Sequence, residues 1–156
     1  MDFDKIIRTV VATAFDEGAI PAAMTFRMTP TARQQAKTLL DQSNQQHREF
    51  GGYAEGTAQG GMVTVEEFIM EVRGDSAHVR IPWADDERTV AGWHSHPEQY
   101  SDNMVPETDD EGFPVPSPDD MASFNNTAEQ GHLSIIIGND RIVVYEGRRQ
   151  LHSEEL

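Results

Sequence analysis

The sequence predicts a mixed α/β (α+β) domain with helices packed on a mixed β-sheet. Three observations predict it. Apolar residues recur at helical spacing in two segments near the N-terminus, alternate with other residues in three central runs, and flank Gly138-Asn139-Asp140 near the C-terminus. Helical periodicity, strand periodicity and a hairpin signal, met in that order, describe helices laid on a sheet. A chain of 156 residues suits one domain with one sizeable core, so residues 1–156 are expected to form a single domain.

The elements follow in order. Residues 3–16 place Ile6, Ile7, Val10, Val11 and Phe15 at helical spacing, and Gly18 and Pro21 end that helix. Residues 22–28 read as a short strand. Thr29 or Thr31, around Pro30, starts a second helix that runs through Ala36, Leu39 and Leu40 to Gln46. Gly51-Gly52 mark a turn or a close backbone approach. Strand patterns cover residues 62–70 (Val63, Val65, Phe68), 77–83 (Val79, Ile81, Trp83) and 89–96. Residues 98–116, rich in proline and acids, read as a long loop. Ser117 opens a third helix, and residues 133–137 and 141–145 flank the hairpin turn.

Composition excludes several function classes. The net charge of −15 argues against nucleic-acid backbones and anionic membranes as partners. No run approaches a transmembrane span, because Arg8, Glu66 and Glu67 break the longest apolar stretches. The first residues, Met1-Asp2-Phe3-Asp4, carry acids where a signal peptide needs bases, so a cytoplasmic location is expected. The absence of cysteine removes disulfides, thiolate metal sites and a cysteine nucleophile. Only Lys5 and Lys37 are lysines, and no Lys or Arg lies between Arg88 and Arg141. Such a surface fits a protein of high-salt habitats, where screening removes self-repulsion; an acidic protein of no special habitat is the alternative.

The chemistry concentrates at His94-Ser95-His96-Pro97. Residues two apart on a strand point the same way, so Val90, Gly92, His94 and His96 share a face, with Gly92 keeping the space beside the imidazoles open. Two imidazoles at that spacing reach one ion, and a carboxylate completes a three-ligand zinc site with water in fourth place. An isolated pair of this kind more often serves as hydrogen-bonded surface histidines. Ser117-Pro118-Asp119-Asp120 is a helix N-terminus, with Ser117 as N-cap, Pro118 at N1 and Asp120 bonding back from N3. A helix start can also aim a carboxylate and a hydroxyl into a cleft. Spacing alone does not choose between Asp120 and Asp119 as ligand. Glu49, just ahead of Gly51-Gly52, would by itself read as exposed.

Other histidine chemistries fit less well. The His47-Arg48-Glu49 pattern occurs in zinc nucleobase deaminases, which also need a P-C-x-x-C partner that a cysteine-free chain cannot supply. A metallo-β-lactamase needs Asp and His after H-x-H, and Pro97-Glu98 follow here. A cupin needs a further histidine on a second strand motif, for which His132 and His152 are misplaced.

In order, Glu49 with Gly51-Gly52, then His94-Ser95-His96-Pro97, then Pro116-Ser117-Pro118-Asp119-Asp120 resemble the JAMM metalloprotease family, the catalytic MPN or JAB domains, in a small prokaryotic or viral form. The resemblance covers about residues 22–147. It leaves out the helix at 3–16, and the gap between His96 and Asp120 is longer than that family's. The extra residues, 100–115, bring Asp102, Glu107, Asp109, Asp110 and Glu111.

The resemblance implies a cytidine-deaminase-like fold in which His94, His96 and Asp120 hold zinc, Glu49 is the general base, and Ser117 helps zinc stabilise the oxyanion. It further implies cleavage after the C-terminal Gly of a ubiquitin-like protein, free or conjugated. Two other readings stand beside it. One is a zinc peptidase of another substrate, such as viral or phage maturation or sulfur-carrier tail processing. The other is a non-catalytic MPN interaction module. The acidic insertion either grips a basic substrate patch or is a solvated loop, and composition favours the loop.

Overall fold

The computed structural model describes residues 25–75, 87–98 and 108–156. The expected helix over 3–16, the expected strand over 77–83 and residues 99–107 of the long loop lie outside them. The described elements are β1 (Thr25–Met28), α1 (Pro30–Gln46), β2 (Phe50–Gln59), β3 (Met62–Arg73), β4 (Thr89–His96), α2 (Pro118–Glu129), β5 (Leu133–Gly138), β6 (Arg141–Glu146) and β7 (Arg149–Glu155). The fold is mixed α+β: one sheet in the order β1-β3-β2-β4-β5-β6-β7 carries both described helices. β1 runs parallel to β3 and β4 parallel to β5, while the remaining pairs are antiparallel. Neither described helix is long and apolar enough to cross a membrane.

Local chemistry sets the helix boundaries. Thr29, not Thr31, caps α1, its hydroxyl accepting the Ala32 amide at 3.1 Å, and Pro30 fills the first turn, where its missing N–H costs nothing. The helix stops at His47, which takes a left-handed conformation (φ 52°) and returns its amide to the Ser43 and Asn44 carbonyls.

The sheet separates two cores. Ala32, Ala36 and Leu40 of α1 pack with Phe26, Val63, Val65, Trp93, Ile135 and Ile137. On the other side, Phe124 of α2 packs with Ile136, Val143 and Tyr145, and Met121 and Phe113 cover them. Alternation along β5 therefore feeds both cores, which is why Ile135, Ile136 and Ile137 follow one another without a polar residue between them.

Two strands escape the sequence patterns. β2 contains Gly51, Gly52 and Gly56, residues that weaken a strand signal. Of the two readings of Gly51-Gly52, the turn is corrected and the close approach holds. A Cβ at Gly52 would lie 1.9 Å from the Ile69 carbonyl oxygen, and one at Gly56 would lie 1.8 Å from that of Thr64. β7 is a polar edge strand whose one apolar residue is Leu151, so it shows no apolar alternation.

Candidate metal centre

The site forms where three elements end together. Gly92, His94 and His96 lie on the α2 side of β4, with the His94 ring 6.1 Å from Phe124, while Ser95 and Trp93 point to the α1 side. Val90 leaves the expected shared face. It sits at a register irregularity opposite Ala54 and Glu55, and its side chain joins the α1 core. Trp93 locks the strand from behind by donating its indole N–H to Ile69 O at 3.0 Å.

The two imidazoles face each other, with His94 Nε2 3.1 Å from His96 Nε2. Asp120 reaches both, with Oδ1 3.2 Å from His94 Nε2 and Oδ2 3.2 Å from His96 Nε2. It arrives there through the capping box of α2. Ser117 Oγ accepts the Asp120 amide at 3.1 Å, and Asp120 Oδ2 accepts the Ser117 amide at 2.9 Å. Cap and cluster are thus one arrangement, and the helix N-terminus adds favourable partial positive charge beside the carboxylate. Asp119 is exposed on the same turn.

Glu49 comes to the histidines from a third element, immediately ahead of β2, whose Gly51 pairs with His94. Its Oε1 lies 3.9 Å from His96 Nε2, and the residue is only 5% exposed, so the bland reading of a solvated glutamate is overturned. Glu49, His94 and His96 each offer a ligand atom within 4.8 Å of the others. This buried Glu/His/His group can bind a metal ion.

The donor set fits zinc. Ligand atoms on a tetrahedral ion with bonds of about 2.0–2.1 Å stand about 3.3 Å apart, close to the histidine–histidine and histidine–Asp120 separations. Electrostatics agree with a site built for a cation. Burial alone would raise the Asp120 pKa. Hydrogen bonds from His94 and His96, the charge on His94 and the Ser117 amide outweigh it and hold the carboxyl well below the usual carboxylate range.

The structure therefore brings together Glu49, His94, His96 and Asp120, with Ser117 on the adjoining cap. Ser43 and Asn44 support them without having been singled out in the sequence, and Ser95, named there only as part of the histidine motif, joins them. Ser95 and Ser43 are buried in contact behind the site, and Asn44 Oδ1 accepts the Glu98 amide at 2.9 Å just after Pro97. The only sequence signal for Ser95 is its place between the histidines, which turns it to the opposite face of the strand.

No family model matches this chain, and no curated protein matches it.

Proposed function

We propose that the chain is a zinc metalloprotease of the JAMM (MPN/JAB-domain) type, hydrolysing the peptide or isopeptide bond after the C-terminal Gly of a ubiquitin-like protein. The observation that carries this reading is convergence. Four side chains from the starts of β2 and α2 and the end of β4 meet in the family's order, with two imidazoles and Asp120 within 3.2 Å of one another. A purely structural histidine pair has no need of a second carboxylate beside it, yet the buried Glu49 is there.

His94, His96 and Asp120 would hold the ion, and bound zinc would supply Lewis acidity and acidify the attacking water. The residues divide the remaining work. Glu49 takes the proton of the attacking water and passes it to the leaving amine, the double duty of a general base that becomes a general acid. Its burial among histidines keeps bulk water from competing for that proton. Ser117 uses an oxygen lone pair for its cap bond, which leaves the hydroxyl proton to donate to the oxyanion.

The test is metal content together with cleavage of linear ubiquitin-like fusions and isopeptide conjugates, each with a chelator control. About one zinc per chain and chelator-sensitive cleavage is the expected result. Full hydrolysis by metal-free protein would overturn the mechanism, and zinc binding without cleavage of any fusion or conjugate would favour an interaction module.

A further inference from the structure

Behind the metal centre, on the α1 side of the sheet, two fully buried serines touch each other: Ser43 of α1 and Ser95 of β4. The Phe50 amide donates to Ser95 Oγ at 2.9 Å, and Ser43 Oγ donates to the Arg48 carbonyl at 2.6 Å. Because the Ser43 proton is committed to Arg48, Ser95 is the donor in the 2.6 Å contact between the two hydroxyls. A one-way chain results, from the Phe50 amide through Ser95 and Ser43 to the Arg48 carbonyl. Its two ends are the peptide groups immediately before and after Glu49.

The Glu49 backbone is held as well. Its amide donates to Asp75 O at 2.7 Å, and its carbonyl accepts the Gly74 amide at 2.7 Å. The Gly74–Asp75 contacts fix Glu49 against the end of β3. The serine chain ties its backbone to the histidine strand, since Ser95 lies between His94 and His96 in sequence and projects from the other face.

We propose that Ser95 and Ser43 are positioning residues for Glu49. The hydroxyl pair sets the register of the Glu49 carboxylate against the two imidazoles on the far side of the sheet. This rests on Glu49 being the base, and it deepens that reading: the sheet transmits the alignment. Neither serine touches substrate or ion.

The test uses the full chain with Ser95→Ala and Ser43→Ala, each in the wild-type and in the Glu49→Gln background. A misplacement of about 1 Å can cost about a hundredfold in rate, so kcat should fall about tenfold to a hundredfold, with zinc still bound and KM within about twofold. In the Glu49→Gln background the same substitutions should cause no further loss, because there is no longer a base to align. Equal losses in both backgrounds, or loss of zinc, would show that the serines merely support the fold. Amide exchange at Phe50 provides a separate reading in protein without activity. Faster exchange at Phe50 in Ser95→Ala supports the clamp, and unchanged exchange overturns it. Wild-type protein that cleaves nothing refutes the proposed protease instead, and the exchange result still decides the clamp.

Discussion

Two carboxylates lie beside one pair of imidazoles, and under the proposed function they do different work, Asp120 as ligand and Glu49 as base. Asp120 lies 3.2 Å from both histidines, whereas Glu49 Oε1 lies 3.9 Å from His96 Nε2. Asp120→Ala should therefore lose most of its zinc, while Asp119→Ala, at an exposed position, should keep it; metal analysis of the two purified variants checks this. Glu49→Gln should keep zinc and fold but lose cleavage by at least about a hundredfold, the lower range for a positioned acid or base. Near-wild-type turnover in that variant would move the base elsewhere; Glu55, the next glutamate along the chain, lies opposite Thr89 at the other end of β4 and beside Arg88. Asp120 also links pH to stability. Its folded pKa is depressed, so its ionised form favours the native state. That contribution is present above the ordinary carboxylate value of about 3.9 and is lost as pH falls below it. In metal-free protein, the stability difference between wild type and Asp120→Asn should accordingly shrink on acidification, which urea titrations at several pH values would measure.

Among the elements, β2 is the one on which the centre depends most, because it joins Glu49 to both β3 and β4. Its glycines permit that junction. A methyl at Gly52 would overlap the Ile69 carbonyl, whereas the nearest atom to a methyl at Gly92 is 4.0 Å away. Gly52→Ala should destabilise the protein by about 3 kcal/mol or more, and Gly92→Ala by well under that; thermal melts of the pair give the comparison. The helices contribute by their ends. The C-terminal turn of α1 supplies Ser43 and Asn44 behind the site, and the N-terminus of α2 supplies Ser117 and Asp120 in front of it.

For the whole molecule, under the proposed function, the net charge of −15 bears on substrate selection. In the described part of the acidic insertion the acids are exposed, while the backbone and the residues after them are anchored. Asp109 Oδ1 accepts the Glu111 and Phe113 amides, Asn139 Nδ2 donates to Gly112 O at 2.8 Å, and Arg141 lies over the Phe113 ring. Pro114 is buried, and its Cβ, like that of His96, would touch a methyl at Gly138. Residues 108–114 are thus anchored beside the histidine strand with Asp109, Asp110 and Glu111 exposed. Under the proposed function, neutralising Asp102, Glu107, Asp109, Asp110 and Glu111 together should raise KM on a protein substrate and leave turnover of a short peptide unchanged. The effect should fade as salt rises, since exposed charges are screened within about 8 Å at physiological ionic strength. Identical kinetics at low salt would make the insertion a spacer.

Local signals in the sequence determined the elements whose physics is local. The Ser117 cap, the limits of β4, the Gly138-Asn139-Asp140 turn and the same-face pairing of His94 and His96 all follow from backbone geometry within a few residues, whereas the choice of Thr29 over Thr31 as cap was left to the fold. Tertiary structure decided the rest. β2 and β7 form because partner strands satisfy their backbones, not because their side chains alternate, so no periodicity announces them. Asp120 stands beside the histidines and Asp119 does not because the capping box turns one carboxylate inward, an orientation that spacing cannot express. Glu49 is buried because β3 and β4 close around it. The serines behind the site owe their contact to α1 crossing β4, a pairing of residues 52 apart in the chain that no local pattern contains.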